Sequence, residues 1–348
     1  MTVSVFDHPY LSGLLGDEEI GAQFTAEGDI AAMLAFEAAL ARAEAGCGLV
    51  PPEAAARILD VCATFRPDVA SLRKATGTDG VVIPDLVRQL RDAIGGDAAK
   101  SLHLGATSQD VIDTSLMLRL KKICFILGAR LYAITRSLDG LDAQFGKSPL
   151  MGHTRMQAAI PITVSNRLTA WKSPLVEYGE RLMQQRFPLQ FGGAAGTLDK
   201  LYDKAAMVRA ALAADLGLTD QPQWQSQRLP IVDIANLFSL ITGSLGKFGQ
   251  DIALLAQGGT EIKLRGGGGS SAMAHKQNPV AAETLMALAR FNATQIAGIH
   301  QSIVHEQERS GAAWTLEWML LPPMAMAAGT SLKLAQQLAE NIVSLGGS

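Results

Sequence analysis

The stretch IANLFSLITGSLGKFGQDIALL, Ile234 to Leu255, decides the fold. Its apolar residues recur at alternating spacings of four and three: Ile234, Phe238, Ile241, Leu245, Phe248, Ile252 and Leu255. Such a stripe lies along one face of an α-helix, and its near-heptad spacing favours helices that pack at a shallow angle in a bundle. Ala253 and Leu254 lie off the stripe, so this helix is apolar over much of its circumference. A single bundle can bury one such helix all round, but Met286 beside Leu285 indicates the same feature in a second helix, which favours packing between subunits.

Similar stripes occur elsewhere in the chain and predict further long helices. One comprises Leu116, Leu120, Ile123, Leu127, Leu131, Ile134 and Leu138, and another comprises Val164, Leu168, Trp171, Leu175, Tyr178 and Leu182. Two more helices are predicted from about Pro279 to Val304 and from about Trp314 to Leu345. Because strand alternation is nearly absent, the sequence predicts an all-α fold.

The first hundred residues carry shorter helical segments separated by proline and glycine. We predict a helix from Asp29, whose carboxylate can cap it, to about Gly46. Others are predicted after Pro51 and from Pro84 to Ile94. This pattern predicts a small N-terminal helical domain, residues 1–105. A long-helix bundle domain, residues 106–348, is expected to form the core of an oligomer.

Composition restricts the partners and the compartment. The 348 residues carry a formal net charge of -3, which does not favour nucleic acid or an anionic membrane as the main partner. Cys47, Cys62 and Cys124 are isolated, which is typical of a reducing compartment. The first Lys or Arg is Arg42, so no signal peptide is expected, and no apolar run approaches the ~20 residues of a membrane span. We therefore expect a cytoplasmic protein.

A glycine-rich polar loop interrupts the helical pattern at GGGGSSAMAHKQN, Gly266 to Asn278. Four consecutive glycines leave the backbone too free to hold a helix. A flexible linker is one interpretation, but a linker needs no lysine or histidine. A phosphate-binding loop is another, but it requires Gly-Lys-Ser/Thr directly before its helix. We therefore interpret this loop as catalytic.

Two more polar stretches, HLGATSQDVIDTS (His103 to Ser115) and GHTRMQAAIP (Gly152 to Pro161), lie at predicted helix boundaries. Ordinary capping by Thr107 or Ser108 would explain part of the first, and a turn entering a helix at Pro161 would explain the second. Each stretch alone is weak evidence for a site, but together the three are not. The six histidines are scattered, so no metal site is expected.

GSSAMAHKQNP closely resembles the signature loop of the fumarase/aspartase superfamily, which includes argininosuccinate and adenylosuccinate lyases. HLGATSQDVIDT resembles the first conserved region of that superfamily, and TRMQAAIP resembles the second. All three occur in the superfamily's order and spacing. ERSGAAWTLEWMLLP (Glu308 to Pro322), GGAAGTL (Gly192 to Leu198) and VIPDLVRQL (Val82 to Leu90) are similar to the branch that lactonizes 3-carboxy-cis,cis-muconate in aromatic-acid breakdown.

Departures from the lyase pattern favour this lactonizing branch. Arg155 stands where lyases carry an acid/base histidine, and Trp318 stands where adenylosuccinate lyases carry an anion-binding arginine. Ala274 and Gln277 replace a usual proline and a common arginine of the loop. In lactonization a substrate carboxylate, with a pKa of ~4, is the nucleophile and needs no base to activate it. One half of the usual acid/base pair is therefore dispensable.

The resemblance implies roles for individual residues. Ser270 would donate the proton to the carbanion, and Lys276 would stabilise the charge that develops there. The implied substrate-binding residues are His103, Thr107, Ser108, Thr154, Gln157, Ser271 and Asn278. We add from its charge that Arg155 binds one of the three substrate carboxylates.

The resemblance also implies a homotetramer with each active site built from three chains, a small tricarboxylate substrate and no cofactor. Superfamily members usually have a third, C-terminal helical domain, which is expected to be absent or truncated here because the chain ends at Ser348. Two alternatives stay open: a lyase that releases fumarate, and a catalytically silent structural homologue. The presence of Ser270, Lys276 and Asn278 argues against the silent homologue.

Overall fold

The computed structural model describes residues 4–269 and 278–347. Twelve α-helices make up most of these residues, which confirms the all-α prediction. The helices are α1 Ser12–Leu15, α2 Glu18–Gly21, α3 Ala26–Gly46, α4 Pro52–Thr64, α5 Val69–Asp79, α6 Ile83–Ile94, α7 Ser108–Phe145, α8 Val164–Met183, α9 Ala205–Leu216, α10 Leu229–Gly258, α11 Val280–Gln301 and α12 Gly311–Glu340. Within these same residues, four short strands form two antiparallel pairs, β1 Pro149–Thr154 with β2 Gln157–Thr163 and β3 Ile262–Leu264 with β4 Ile342–Leu345.

The long helices α7, α8, α10, α11 and α12 form a bundle around one hydrophobic core, and the three predicted stripes lie in that core. Arg228, just before α10, bonds Asp113 near the start of α7 and Glu317 near the start of α12. The starts of these three helices therefore meet at one end of the bundle, which we call the first end. The strands that follow α10 and α12 pair with each other at the opposite end.

Two glycines let α10 and α11 approach closely. A Cβ on Gly246 would lie 2.5 Å from the Ala289 Cβ, and one on Gly249 would lie 2.7 Å from the Ala282 carbonyl oxygen. The first turn of α11 therefore packs against α10 well beyond its middle. This contact brings the residues just before α11, including Asn278, toward the opposite end.

Helix α10 is long and apolar enough, by length and mean hydropathy alone, to cross a membrane. The helix is not an uninterrupted apolar run, because polar residues such as Lys247 and Asp251 lie within it. In the bundle, 56% of its most apolar 18-residue segment is buried inside the protein. Burial of that kind is what the core helix of a helical bundle requires.

A second hydrophobic core joins α3, α4 and α6 with residues from 189 to 213 and with Trp314. The proposed domain boundary at residue 105 stays a prediction, and this core draws on chain from both sides of it. Helix α3 begins earlier than expected because the Thr25 side chain, not Asp29, accepts from the Gly28 N–H at 3.1 Å. Asp29 instead pairs with Arg119 of α7 at 2.9 Å.

Several local predictions were wrong. Helices α5 and α9 were not expected, and the last helix ends at Glu340 with strand β4 after it. GHTRMQAAIP forms most of the β1–β2 hairpin, so the alternative of a turn that enters a helix at Pro161 does not apply, and the next helix begins at Val164. The hairpin escaped prediction because most of its residues are exposed, so they do not show apolar alternation.

Candidate active site

The first conserved region lies at the first end of the bundle, where Thr107 precedes helix α7. The buried Asp110 carboxylate accepts from four N–H groups: Thr107 N at 3.0 Å, Gln190 Nε2 at 3.0 Å, Gly192 N at 2.8 Å and Gly193 N at 2.9 Å. Burial raises the pKa of Asp110 to about 6, and the four donors act in the opposite direction. Asp110 therefore does more than cap α7, because it fixes the GGAAGTL turn against the start of the helix.

His103 lies beside this helix start, with its Nδ1 2.6 Å from Oε1 of Glu37 on α3. Its φ of 64° is in the left-handed region, which a residue with a Cβ seldom adopts. Thr107 and Ser108 follow four and five residues later, at the start of α7, and are partly buried. The structure thus brings three of the predicted substrate-binding residues together at the first end.

A buried ionic cluster also lies at the first end of the bundle. The Arg228 guanidinium bonds both carboxylate oxygens of Asp113, at 2.6 and 3.0 Å, and both of Glu317, at 2.7 and 2.6 Å. Trp314 Nε1 donates to Asp113 at 3.0 Å, and the Arg228 guanidinium stacks 4.8 Å from the centre of the Trp224 ring. Sequence reasoning missed Arg228 and Asp113. The available signal was the Glu308 to Pro322 stretch, which contains Trp314 and Glu317.

Trp318, at the position of the lyase arginine, lies next to Trp314 with ring centres 4.8 Å apart. It lines a mostly apolar cavity of about 320 Å³ together with Val82 and Ile112. The cation in that cavity, Arg119, already pairs with Asp29 at 2.9 Å. The Trp318 position therefore supplies an apolar wall rather than an anion-binding group.

The second region forms the tip of the β1–β2 hairpin. Thr154, Arg155 and Gln157 are all exposed, with Thr154 paired opposite Gln157. Arg155 and Met156 make the turn with φ values of 48° and 65°, as a tight two-residue hairpin turn requires. The Met151 N–H anchors the hairpin by donating to Glu261 Oε1 at 2.7 Å, beside strand β3. The hairpin thus presents its polar tip away from the chain's own core.

The third region is the glycine-rich loop from Gly266 to Asn278, and the structure describes only its base. Gly268 and Asn278 exchange two backbone hydrogen bonds of 2.9 Å each, and Asn278 Nδ2 donates to the Gly269 carbonyl at 3.4 Å. A Cβ on Gly268 would lie 2.4 Å from Val280 Cγ2, so glycine is required for this closure. Ser270, Ser271 and Lys276 lie outside the described residues, and the roles assigned to them stay predictions.

The three regions do not meet within one chain. Helix α7 has 38 residues, about 55 Å at the 1.5 Å rise of an α-helix. Thr154 comes nine residues after its end and can reach back about 30 Å at most, so it lies at least roughly 20 Å from Ser108. The loop base lies near Gly249, roughly 30 Å along α10 from its first residue. His103, Thr107 and Ser108 are therefore separated from Thr154, Arg155, Gln157 and Asn278.

Metal binding has no support in the part of the chain that the structure describes. There, no group of three or more His, Cys, Asp or Glu side chains is arranged to hold a metal ion. His103, Arg155 and the hydroxyl and amide groups of the described site residues are of the types that bind anions.

Comparison with known proteins identifies the family to which the chain belongs. Residues 17–298 match the sequence model of a family described as Lyase. The 3-carboxy-cis,cis-muconate cycloisomerase of Pseudomonas aeruginosa is 38% identical over 333 residues, 92% of this chain and 72% of that protein. The protein of the same name from Pseudomonas putida is 38% identical over 331 residues, 92% of this chain and 78% of that protein.

The fold comparison leads to the same group. The crystal structure of 3-carboxy-cis,cis-muconate lactonizing enzyme from Pseudomonas putida matches with a TM-score of 0.90 at 36% identity, covering 96% of this chain and 77% of that one. The chain therefore belongs to the lyase family, the fumarase/aspartase superfamily expected from its three motifs, and it resembles the 3-carboxy-cis,cis-muconate cycloisomerases of that family.

Proposed function

We propose that the protein is a cycloisomerase that converts 3-carboxy-cis,cis-muconate to a carboxymuconolactone without a cofactor. The observation that carries this proposal is the similarity, over more than nine-tenths of the chain, to proteins that bear this enzyme's name. The reaction belongs to the protocatechuate (β-ketoadipate) route of aromatic-acid degradation, and the expected location is the cytoplasm. Buried free thiols at Cys62 and Cys124 suit such a reducing compartment.

The chemistry needs one nucleophile and one proton. A carboxylate oxygen of the substrate adds to a double bond of the same molecule and forms the lactone C–O bond. The electron pair of that double bond moves to the carbon beside another carboxylate, where a carbanion develops. Ser270 would then transfer its hydroxyl proton to that carbon, and the alkoxide left on Ser270 would regain a proton from water. Because the nucleophile is already ionised, Arg155 in place of the lyase histidine removes no group that this reaction requires.

The active site is proposed to be shared among the subunits of a homotetramer. This proposal rests on the length of α7 and α10, which keeps the first region far from the second and third within one chain. Large apolar side chains also remain exposed along α7, α8 and the hairpin, where a second copy could cover them: Phe125, Tyr132, Met183, Met156 and Ile160. The exposed hairpin tip could then reach the first region of a neighbouring chain.

Shared sites predict complementation between two defective variants. His103→Ala removes a first-region group and Ser270→Ala removes a third-region group, so each variant alone is expected to have little activity. Co-expressed with different affinity tags and purified on both, mixed oligomers are expected to recover up to about a quarter of wild-type activity. The matched control is His103→Ala with Ser108→Ala, both in the first region, which should recover nothing. Equal activity of the two mixtures would contradict the proposal.

The reaction itself is tested by following the ultraviolet absorbance of 3-carboxy-cis,cis-muconate with the purified protein. Lactonization removes conjugation between the two double bonds, so we expect the diene absorbance to disappear with enzyme and to persist without it. Argininosuccinate and adenylosuccinate, assayed in parallel for fumarate release, should give no product. Fumarate release from either one, without loss of the diene signal, would assign the protein to the lyases instead. Inactivity on all three would favour the silent homologue.

A further inference from the structure

Glu37 makes the shortest described contact to a predicted substrate-binding residue, yet no motif of the sequence pointed to it. Its side chain is 1% exposed on α3, and its Oε1 lies 2.6 Å from Nδ1 of His103. His103 reaches this carboxylate from the loop before α7 with a left-handed backbone, φ 64°. A non-glycine residue keeps that conformation only where surrounding contacts hold it, and the Glu37 contact is one that can do so.

The groups around Glu37 leave His103 as its charge partner. Glu44 is another buried residue of α3. Burial, and secondarily the charge of Glu37, raises the pKa of Glu44 to about 9. Burial, and secondarily Glu37, raises the pKa of the Cys62 thiol to about 12. Both groups are therefore neutral near pH 7. Within residues 4–269 and 278–347, the imidazole of His103 is the basic group that contacts the Glu37 carboxylate.

The charges that face His103 come from three helices: Glu37 of α3, Asp110 of α7 and Arg91 of α6. Burial lowers the pKa of His103, but the charge and hydrogen bond of Glu37 outweigh it, and the net direction is upward. Asp110 acts in the same direction as Glu37. Arg91, which donates to the Leu102 carbonyl at 3.2 Å, opposes both.

A cationic imidazole held at Nδ1 has one remaining donor. Within residues 4–269 and 278–347, the bond to Glu37 is the ring's one hydrogen bond, so the Nε2–H is available to a ligand. A charge-assisted hydrogen bond to a carboxylate is what such a donor makes best. The same ring could not serve as a general base while it carries its proton.

We propose that Glu37 is the positioning residue of His103: it fixes the imidazole ring and holds it as a cation whose Nε2–H binds a carboxylate of the substrate. The proposal rests on the proposed function in one respect, the tricarboxylate character of the substrate. Glu37 itself does not touch the substrate, and it acts only through His103. Its removal should therefore impair substrate binding more than the chemical step.

Hydrogen–deuterium exchange at the imidazole carbon of His103, followed by peptide mass spectrometry across pH, measures the titration of this residue without any substrate. In the wild-type protein we expect a midpoint above the ordinary value of about 6.5. Glu37→Gln keeps the shape and removes the charge, and it should lower the midpoint by about one pH unit. Glu37→Asp keeps the charge and should restore most of the difference. Glu44→Gln, a control at an equally buried but neutral position, should leave the midpoint unchanged.

Kinetics on 3-carboxy-cis,cis-muconate provide the second measurement. At pH 7.5, Glu37→Gln is expected to raise KM about tenfold with a smaller change in kcat, since a charge-assisted hydrogen bond is lost from the bound substrate. The difference in KM between the variant and the wild type should decrease as the pH falls, because His103 of the variant is then protonated as well. Glu44→Gln should keep the wild-type KM.

A wild-type His103 midpoint at or below 6.5 would overturn the proposal, and this result needs no variant to fold. An unchanged midpoint in a folded Glu37→Gln protein would overturn it as well. If the exchange results are as expected but the muconate is not consumed, the proposed function fails and the Glu37–His103 assignment stands. If the muconate is consumed and the midpoints do not differ, the positioning role fails and the function stands.

Discussion

Replacing Arg228 with methionine is expected to lower the free energy of unfolding by about 3–5 kcal/mol, the usual cost of removing one partner from a buried ion pair. Arg228, Asp113 and Glu317 are at most 1% exposed. Methionine fills much of the space but leaves two buried carboxylates without their cation. Because the three residues join the starts of α7, α10 and α12, the loss should also loosen the first end of the bundle.

Chemical denaturation followed by circular dichroism measures this effect. The matched control is Arg209→Met, since Arg209 pairs with Asp220 at 2.6 Å but both side chains are partly exposed. Partly exposed pairs contribute little, so the control should lose no more than about 1 kcal/mol. Similar losses of unfolding free energy in the two variants would show that burial does not increase the contribution of the Arg228 cluster to stability.

The pH dependence of the same variant has a defined sign. Burial raises the pKa of Glu317, but its interactions with Arg228 and, secondarily, with His305 outweigh burial and lower the pKa overall. The stability that Glu317 contributes is therefore fully present above the unfolded value of about 4.5 and is lost as the pH falls through the lower folded value. In Arg228→Met the part of this contribution that Arg228 supplies is missing, and His305 retains the rest. The difference in the free energy of unfolding between wild type and variant should decrease as the pH is lowered below about 4.5.

Replacing Ser270 with alanine is expected to lower kcat for 3-carboxy-cis,cis-muconate by about 10²–10⁴-fold, the usual contribution of a positioned general acid or base. The lactone C–O bond can form without Ser270, but the carbanion then lacks its proton donor and collapses back to the open substrate. KM should change less, because Ser270 contributes through the proton transfer rather than through ground-state binding. Loss of the diene absorbance under saturating substrate measures kcat directly.

The adjacent serine gives the matched control for this experiment. Ser271 has the same side chain one residue later and is assigned to substrate binding, so Ser271→Ala should act mainly on KM. Both variants should keep the helical circular dichroism of the wild type. Wild-type kcat in Ser270→Ala would remove Ser270 from the proton transfer, and a larger kcat loss in Ser271→Ala would move the role to its neighbour.

Local sequence patterns were sufficient to predict a helix where its periodicity and its capping residues lie within the helix itself. The apolar stripe of α10 predicted its helix, and Thr107 predicted the start of α7, because periodic burial and capping act within a few residues. The β1–β2 hairpin gave no such signal. Arg155 and Met156 occupy positive-φ positions where Asn-Gly is the usual mark of a hairpin.

By itself the sequence determined the all-α fold and the family, since both depend on helical periodicity and on short motifs of fixed spacing. Only the tertiary structure decided which distant residues meet. Arg228 reaches Asp113 and Glu317 across 115 and 89 residues, and His103 reaches Glu37 across 66. It also placed the first region at one end of α7 and the hairpin beyond the other. The physical reason is that backbone hydrogen bonding sets a helix locally, whereas contacts between distant residues depend on how long helices pack and how far each extends.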